Sequence, residues 1–199
     1  MTAAILVGGA SRRMGFPKAW AEVGGVPSVE RVLRSCRAAG LTPVFQGLDS
    51  QAAAAYPDIP AFGDDGAGQG PLAALATAFR YIKDDALLLL ACDLPFLPPE
   101  LLRRLAAAVA GGHCDFAVPL HAGRLHPLCA AYGRAAAVAA AALLAQGERS
   151  MHELLAVDGL RGVHVEPDPQ WGPAEALLLN VNTPQDLELA RGWAACVGG

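Results

Sequence analysis

The stretch that decides the fold is Leu6-Val7-Gly8-Gly9-Ala10-Ser11-Arg12-Arg13-Met14-Gly15-Phe16-Pro17-Lys18. It overlaps a short apolar run, Ala3 to Val7, which predicts a buried strand. Glycines follow, then three cations, and no acidic residue occurs before Glu22. Glycine lets backbone N–H groups curl around anionic oxygens, and Arg and Lys neutralise the remaining charge. A strand that opens into such a loop is typical of a nucleoside triphosphate site.

Two familiar phosphate-binding loops do not fit this spacing. The dinucleotide pattern G-x-G-x-x-G is absent, because Gly8 and Gly9 are adjacent and the next glycine is Gly15. The P-loop pattern fails because one residue too many separates Gly9 from Gly15, and Phe16 follows Gly15. The loop is therefore of another type, with the pattern G-G-x-S-x-R-M-G-x-x-K.

Composition limits the classes of protein that this chain can belong to. Its 199 residues favour a single domain spanning 1–199, with room for a sizeable core. The net charge of −4 argues against a general nucleic-acid or anionic-membrane surface. Five cysteines show no metal-like spacing, which favours buried thiols in a reducing compartment. Because no apolar run reaches about 18 residues, we expect no membrane span and a cytoplasmic protein.

Strand and helix signals alternate along the chain. Predicted strands are Ala3–Val7, Pro43–Gln46, Ala86–Cys92, Phe116–Val118, Leu125–Tyr132, Gly162–Glu166 and Ala176–Val181. Predicted helices lie around residues 29–36, 72–83, 98–110, 135–144 and 150–156, with a last one opened by Thr183-Pro184-Gln185-Asp186. This alternation predicts an α/β fold, a three-layer arrangement with a mostly parallel Rossmann-like sheet and helices on both faces.

In such a sheet, ligands bind at the carboxyl ends of the strands. The Gly8 loop, Asp93 and Asn182 each directly follow a predicted strand, so they are expected to cluster in space. Asp93 leaves the apolar run Ala86–Cys92, and one carboxylate together with substrate phosphates suffices to bind Mg²⁺. Lys18 closes the loop, where its ammonium group can stabilise charge on the α-phosphate. A turn before Pro95 and a solvated lysine are the respective structural alternatives.

These motifs together resemble the molybdenum cofactor guanylyltransferase family, the MobA type of molybdopterin nucleotidyltransferases. The resemblance rests on the N-terminal loop, on Cys92-Asp93-Leu94-Pro95-Phe96-Leu97, on Gly70-Pro71-Leu72-Ala73-Ala74-Leu75 and on Asn180-Val181-Asn182-Thr183-Pro184. It spans the whole chain at family-like spacing. One departure concerns Phe45-Gln46-Gly47-Leu48, which lacks the asparagine often found after the second strand of the family.

The resemblance implies a Mg²⁺-dependent transferase that joins GMP from GTP to molybdopterin and releases pyrophosphate. Its implied catalytic residues are Lys18, Asp93 and Arg13, with Asp93 as the metal ligand. Its implied binding residues are Leu6, Val7, Gly8, Gly9, Ser11, Arg12, Gly15, Lys18, Asp64, Gly70, Pro71, Asp93, His126, Arg149, Asn180 and Asn182. It implies small-molecule substrates, no nucleic acid and no membrane, and transient contact at most with molybdenum-insertion or recipient molybdoenzymes.

Several assignments stay open from the sequence. A carboxylate can accept from guanine N1–H and N2–H₂, and either Asp64 or Asp65 can supply it; the spacing to Gly70 favours Asp64. Asn182 can contact a pterin, a phosphate or Mg²⁺, or simply cap the helix after Thr183. Arg149 suits the acceptor phosphate or is a surface arginine, and His126 lines the pterin pocket or is a histidine satisfied within the fold. The rival functions are a cytidylyltransferase or sugar-phosphate nucleotidyltransferase, and a non-catalytic carrier of pterin cofactor.

Overall fold

The structure is a computed structural model that describes residues 1–8, 18–47, 49–63 and 69–197, with side chains up to residue 195. Its strands are β1 (Thr2–Leu6), β2 (Glu22–Val23), β3 (Val26–Pro27), β4 (Thr42–Gln46), β5 (Ala61–Phe62), β6 (Ala86–Ala91), β7 (Phe116–His121), β8 (Arg124–Leu125), β9 (Cys129–Gly133) and β10 (Gly162–Val165). Its α-helices are α1 (Ser28–Ala38), α2 (Ser50–Ala55), α3 (Pro71–Tyr81), α4 (Pro99–Ala110), α5 (Arg134–Ala145), α6 (Met151–Leu155), α7 (Ala174–Leu177) and α8 (Pro184–Val197). Short 3-10 helices cover Lys18–Trp20 and Pro169–Trp171.

The main sheet confirms the predicted α/β fold with a mostly parallel core. Its strand order is β10-β7-β9-β6-β1-β4-β5, and β8 pairs with β7 at its end. The central strand β1 runs parallel to both β6 and β4, and β4 runs parallel to β5. Only β9 is inserted antiparallel into this path, between β6 and β7, among the residues described. The carboxyl ends of β1, β4 and β6 therefore meet at one edge.

Apolar packing on both faces explains why β6 is apolar throughout. Leu88 and Leu90 face one cluster, which includes side chains of α1 and α4. Leu87 and Leu89 face a second cluster on the other side, with side chains of α3 and α5. All four leucines are fully buried, and each such burial stabilises the fold by about 1.5–3 kcal/mol. Helices thus cover both faces of the sheet, as predicted.

Two predicted strands differ from the structure. The segment Ala176–Val181 is not a strand, because α7 occupies its start and the Leu178 and Leu179 amides donate to the carbonyls of Ala174 and Ala176. A short apolar run fits the periodicity of a helix as well as that of a strand. Here, hydrogen bonds within a helical turn replace the hydrogen bonds between strands. The single strand predicted over Leu125–Tyr132 is broken between β8 and β9. Its interruption includes Pro127, which has no amide hydrogen to donate to a ladder.

Smaller elements escaped the sequence prediction altogether. These are the β2–β3 hairpin, α2 and β5, each too short to show a clear periodicity. The four cysteines with described side chains are free and buried as expected: Cys36, Cys92, Cys114 and Cys129. Within the described ranges, none of the helices has both the length and the apolar character that crossing a membrane requires.

Candidate active site

Asp93 lies at the carboxyl edge of the sheet, directly beyond the buried strand β6. Its backbone carbonyl accepts a 2.9 Å hydrogen bond from the Val181 amide, and the preceding Cys92 carbonyl accepts one of 2.7 Å from the Ser28 hydroxyl. The residue is only 7% exposed, and its Oδ1 has no hydrogen-bond partner among the described residues. Burial raises the pKa of this carboxyl group, and the nearby Lys18 ammonium opposes that rise.

Lys18 reaches this carboxylate from the short helix Lys18–Trp20. Its Nζ lies 3.5 Å from Asp93 Oδ2 and donates a hydrogen bond to Asn182 Oδ1. The three side chains are far apart in sequence but form one group. The predicted convergence of Asp93 and Asn182 at one edge is therefore confirmed, and Lys18 is its centre.

A small apolar cluster explains how Lys18 and Asn182 come together. This C-terminal apolar cluster consists of Ala21, Val23, Val181, Leu187 and Ala190. Two of its members follow Lys18 closely, while the others immediately precede Asn182 or belong to α8. Burial of these side chains against one another therefore holds both polar residues at the same place.

The segment around Asn182 differs from the sequence-based interpretation in one respect. Because no strand is present there, the two asparagines do not share a side through strand geometry. The helix start is a capping box, as predicted: Asp186 Oδ2 accepts from the Asn182 and Thr183 amides at 3.0 and 2.8 Å, and the Thr183 hydroxyl accepts from the Asp186 amide at 3.2 Å. Thr183 thus caps α8, and the side chain of Asn182 is used for the contact with Lys18.

Gly8 and Gly47 bring two strand ends into backbone contact. A Cβ atom on Gly47 would lie 2.7 Å from the Gly8 nitrogen, and its φ of +96° is itself unfavourable for other residues. The Val7 amide donates to the Gln46 carbonyl at 3.0 Å just before this contact. Val7 is buried, Leu6 is half-buried and Gly8 is exposed. The remaining candidates of the loop, Gly9, Ser11, Arg12, Arg13 and Gly15, lie outside the described residues.

Gln46 is a polar residue at this edge of the sheet. The sequence indicated it only as part of a departure from the family pattern and gave it no role. It is 1% exposed, its Nε2 donates to the Ala74 carbonyl at 2.7 Å, and its Oε1 has no partner within the described ranges. This bond ties the end of β4 to the first turn of α3, which Gly70 and Pro71 open. The signal available in the sequence was the amide side chain of Gln46 at the end of a predicted strand. Asp64 and Asp65 lie outside the described residues.

A cleft of about 460 Å³ adjoins Asn182. Polar residues in its wall include His121, Arg124, His126, Glu175, Asn180 and Asn182. Burial, with Arg124 and two histidines nearby, lowers the pKa of His126 to about 4. Arg149 does not line this cleft, because its exposed guanidinium donates to the carbonyls of Leu144 and Glu148. The structure therefore brings His126 and both asparagines together and leaves Arg149 apart.

This fold, with an ammonium group and a buried carboxylate at the carboxyl edge of its parallel strands, is that of a nucleotidyltransferase. A family model described as the MobA-like NTP transferase domain matches residues 3–184. The chain belongs to this family, which confirms the resemblance seen in its motifs.

Individual relatives agree with this assignment. A probable molybdenum cofactor guanylyltransferase of Carboxydothermus hydrogenoformans is 30% identical, over 94% of this chain and 93% of the relative. One of Pelotomaculum thermopropionicum is 32% identical, over 97% and 93%. The crystal structure of molybdopterin-guanine dinucleotide biosynthesis protein A from Archaeoglobus fulgidus has a TM-score of 0.82 and 27% identity, covering 99% of this chain and 100% of that one.

Proposed function

We propose that this chain transfers GMP from GTP to the phosphate of molybdopterin, which releases pyrophosphate and forms the guanine dinucleotide cofactor. The observation that carries the proposal is the group formed by Lys18, Asp93 and Asn182 beside the cleft. It supplies a cation and a carboxylate where a triphosphate would lie, next to a space for an acceptor. The names of the relatives support guanine as the base and molybdopterin as the acceptor.

The chemistry needs charge stabilisation more than covalent catalysis. The acceptor phosphate is already ionised, so its oxygen attacks the α-phosphorus without a general base, and positioning dominates the rate. Lys18 holds negative charge on the phosphate as it grows in the transition state. Asn182 positions the Lys18 ammonium, because its Oδ1 accepts the hydrogen bond from Nζ. Arg13 adds a second cation in this proposal.

Mg²⁺ dependence is part of the same proposal. The buried Asp93 Oδ1, which has no partner among the described residues, is a suitable oxygen ligand. The described residues contain no cluster of three or more metal-binding side chains, which agrees with an ion held by one carboxylate, substrate phosphates and water. When bound, Mg²⁺ neutralises charge on the phosphate oxygens. Asn182 Oδ1 is a second candidate ligand for the ion, and to bind it the oxygen would give up its hydrogen bond with Lys18.

The test is a complete transfer reaction with the purified chain. We expect GTP, Mg²⁺ and molybdopterin to yield the guanine dinucleotide by mass spectrometry, with equimolar pyrophosphate, and no product in EDTA. A parallel reaction with CTP tests the cytidylyl alternative, since product from CTP in preference to GTP contradicts the choice of base. Retention of the pterin without any pyrophosphate would instead identify a carrier.

Recognition of guanine by Asp64 is the finer part of this proposal. The carboxylate would accept from guanine N1–H and N2–H₂. Asp64→Asn and Asp65→Asn form a matched pair, and we expect only the first to raise the KM for GTP. Equal effects of the two substitutions would contradict this assignment.

A further inference from the structure

The cleft beside Asn182 has two chemically different ends. One end contains Asn182, whose side chain contacts Lys18. The other contains His121 and Glu175, which also line a neighbouring cleft that excludes Asn182. A substrate whose phosphate lies near Lys18 would therefore place its opposite end beside these residues.

A tight hairpin carries Arg124 to that far end. In the β7–β8 register, Arg124 lies opposite His121. The turn between them has positive φ angles at Ala122 and Gly123, +48° and +74°, as in the two-residue turns that match strand twist. For the Arg124 guanidinium, the structure gives no hydrogen bond or ion pair within the described chain, although this side chain lines the cleft.

Glu175 supplies the opposite charge at the same end. Its Oε1 lies 3.5 Å from His121 Nε2, and its side chain is 70% exposed. Among the described residues that line the cleft, the other carboxylate belongs to Asp186, whose Oδ2 is engaged by two backbone amides at the start of α8. Glu175 is therefore the carboxylate that a ligand can use, and His121 positions it.

This pair of groups matches one edge of a pterin. The edge presents the 2-amino group and N3–H as donors and O4 as an acceptor. A carboxylate accepts from adjacent N–H donors, and a guanidinium donates to a carbonyl oxygen. We propose that Glu175 and Arg124 recognise this edge of the acceptor, with Glu175 reading the 2-amino group and Arg124 binding O4. The inference rests on the proposed function for the identity of the acceptor.

A pair of fluorescent probes separates the two contacts. The probes are 6-hydroxymethylpterin monophosphate and the corresponding lumazine, which carries an oxygen in place of the 2-amino group. Their affinities for the full chain are measured from probe fluorescence without GTP. We expect the wild-type chain to prefer the pterin by about tenfold or more, because the lumazine lacks one hydrogen bond to a charged group.

The substitutions then have different expected signatures. Glu175→Gln should abolish most of the preference, because the amide can donate to the lumazine oxygen. Arg124→Gln should weaken both probes about tenfold, because both carry O4. Glu188→Gln is the matched control, since Glu188 pairs with Arg191 on α8 outside the cleft. Unfolding curves that match the wild type establish that the variants are folded.

Three results would overturn the inference. They are an unchanged pterin preference in Glu175→Gln, unchanged probe affinity in Arg124→Gln, and no preference in the wild-type chain. Failure of the proposed function is distinguishable, because it would show as absent dinucleotide formation by the wild-type chain with GTP and molybdopterin. The probe measurement does not depend on that reaction.

Discussion

Replacing Asp93 with Asn should stabilise the fold while it removes activity. The carboxylate is buried, and its Oδ1 has no partner among the described residues. An unsatisfied buried polar atom costs about 1–3 kcal/mol, and more when the group is charged; the neutral amide leaves an unpaired atom at the same place but costs less to bury than the charge. The opposing contact with Lys18 spans 3.5 Å to a partly exposed ammonium, for which about 0–1 kcal/mol is typical.

The difference between the cost of burying the carboxylate and the gain from its contact with Lys18 predicts that Asp93→Asn raises the free energy of unfolding by about 1–2 kcal/mol in EDTA. For a chain of this size, each kcal/mol corresponds to about 2–4 °C in Tm. Denaturant unfolding followed by circular dichroism measures the change. Added Mg²⁺ with GTP should stabilise the wild-type chain more than the variant, because only the wild type retains the carboxylate proposed to bind Mg²⁺. Turnover should fall about 100-fold or more.

Asp115→Asn provides a control of opposite sign. The Asp115 carboxylate accepts from the Arg161 amide at 2.8 Å and from its guanidinium, and these bonds lower the pKa of Asp115. Its replacement should therefore destabilise the fold at neutral pH. If Asp93→Asn were destabilised in EDTA as well, the pair with Lys18 would outweigh the desolvation of Asp93, and the reasoning would be wrong.

Other perturbations test separate parts of the structure. Lys18→Ala should lower turnover in a pyrophosphate-release assay about 100-fold, and near-normal turnover would contradict its role. For His126, the pKa in the folded chain is about 4 against 6.5 for the free side chain, so its contribution to stability is complete above pH 6.5 and is lost as pH falls towards 4. His126→Gln should flatten that part of the stability–pH curve relative to wild type, and an identical curve would refute the burial of a neutral imidazole. Gly47→Ala should cost at least about 2 kcal/mol, from its positive φ and the clash with Gly8, and it should weaken GTP binding measured by calorimetry; a variant as stable as wild type would contradict that close approach.

Periodicity and local chemistry were sufficient to predict much of the fold. The apolar run ending at Asp93 could be interpreted as a strand buried on both faces, because neither face carries a polar residue. The capping box at Thr183 and Asp186 was visible because its partners are three residues apart. Local interactions of this kind are encoded at fixed spacings, so they are readable without the tertiary structure.

Short apolar segments were where prediction failed. Ala176–Val181 has only one polar residue, Asn180, which does not set a period, and its backbone forms a turn of helix and local bonds instead of a strand. The interruption at Pro127 was visible in the sequence, but its consequence, the placement of His126 in the cleft, depends on the neighbouring segment around Asn180. Whether such a segment forms a strand or a turn depends on which neighbouring surface its apolar side chains pack against.

The sequence by itself determined that a glycine-rich cationic loop, a carboxylate after an apolar strand and an asparagine pair belong to one α/β chain. Only the tertiary structure decided that Lys18 contacts Asn182, which lies 164 residues away. That contact depends on burial of the C-terminal apolar cluster, a non-directional interaction that leaves no fixed spacing in the chain. The tertiary structure likewise placed Arg124 and Glu175 in one cleft, because a hairpin and a distant short helix meet there.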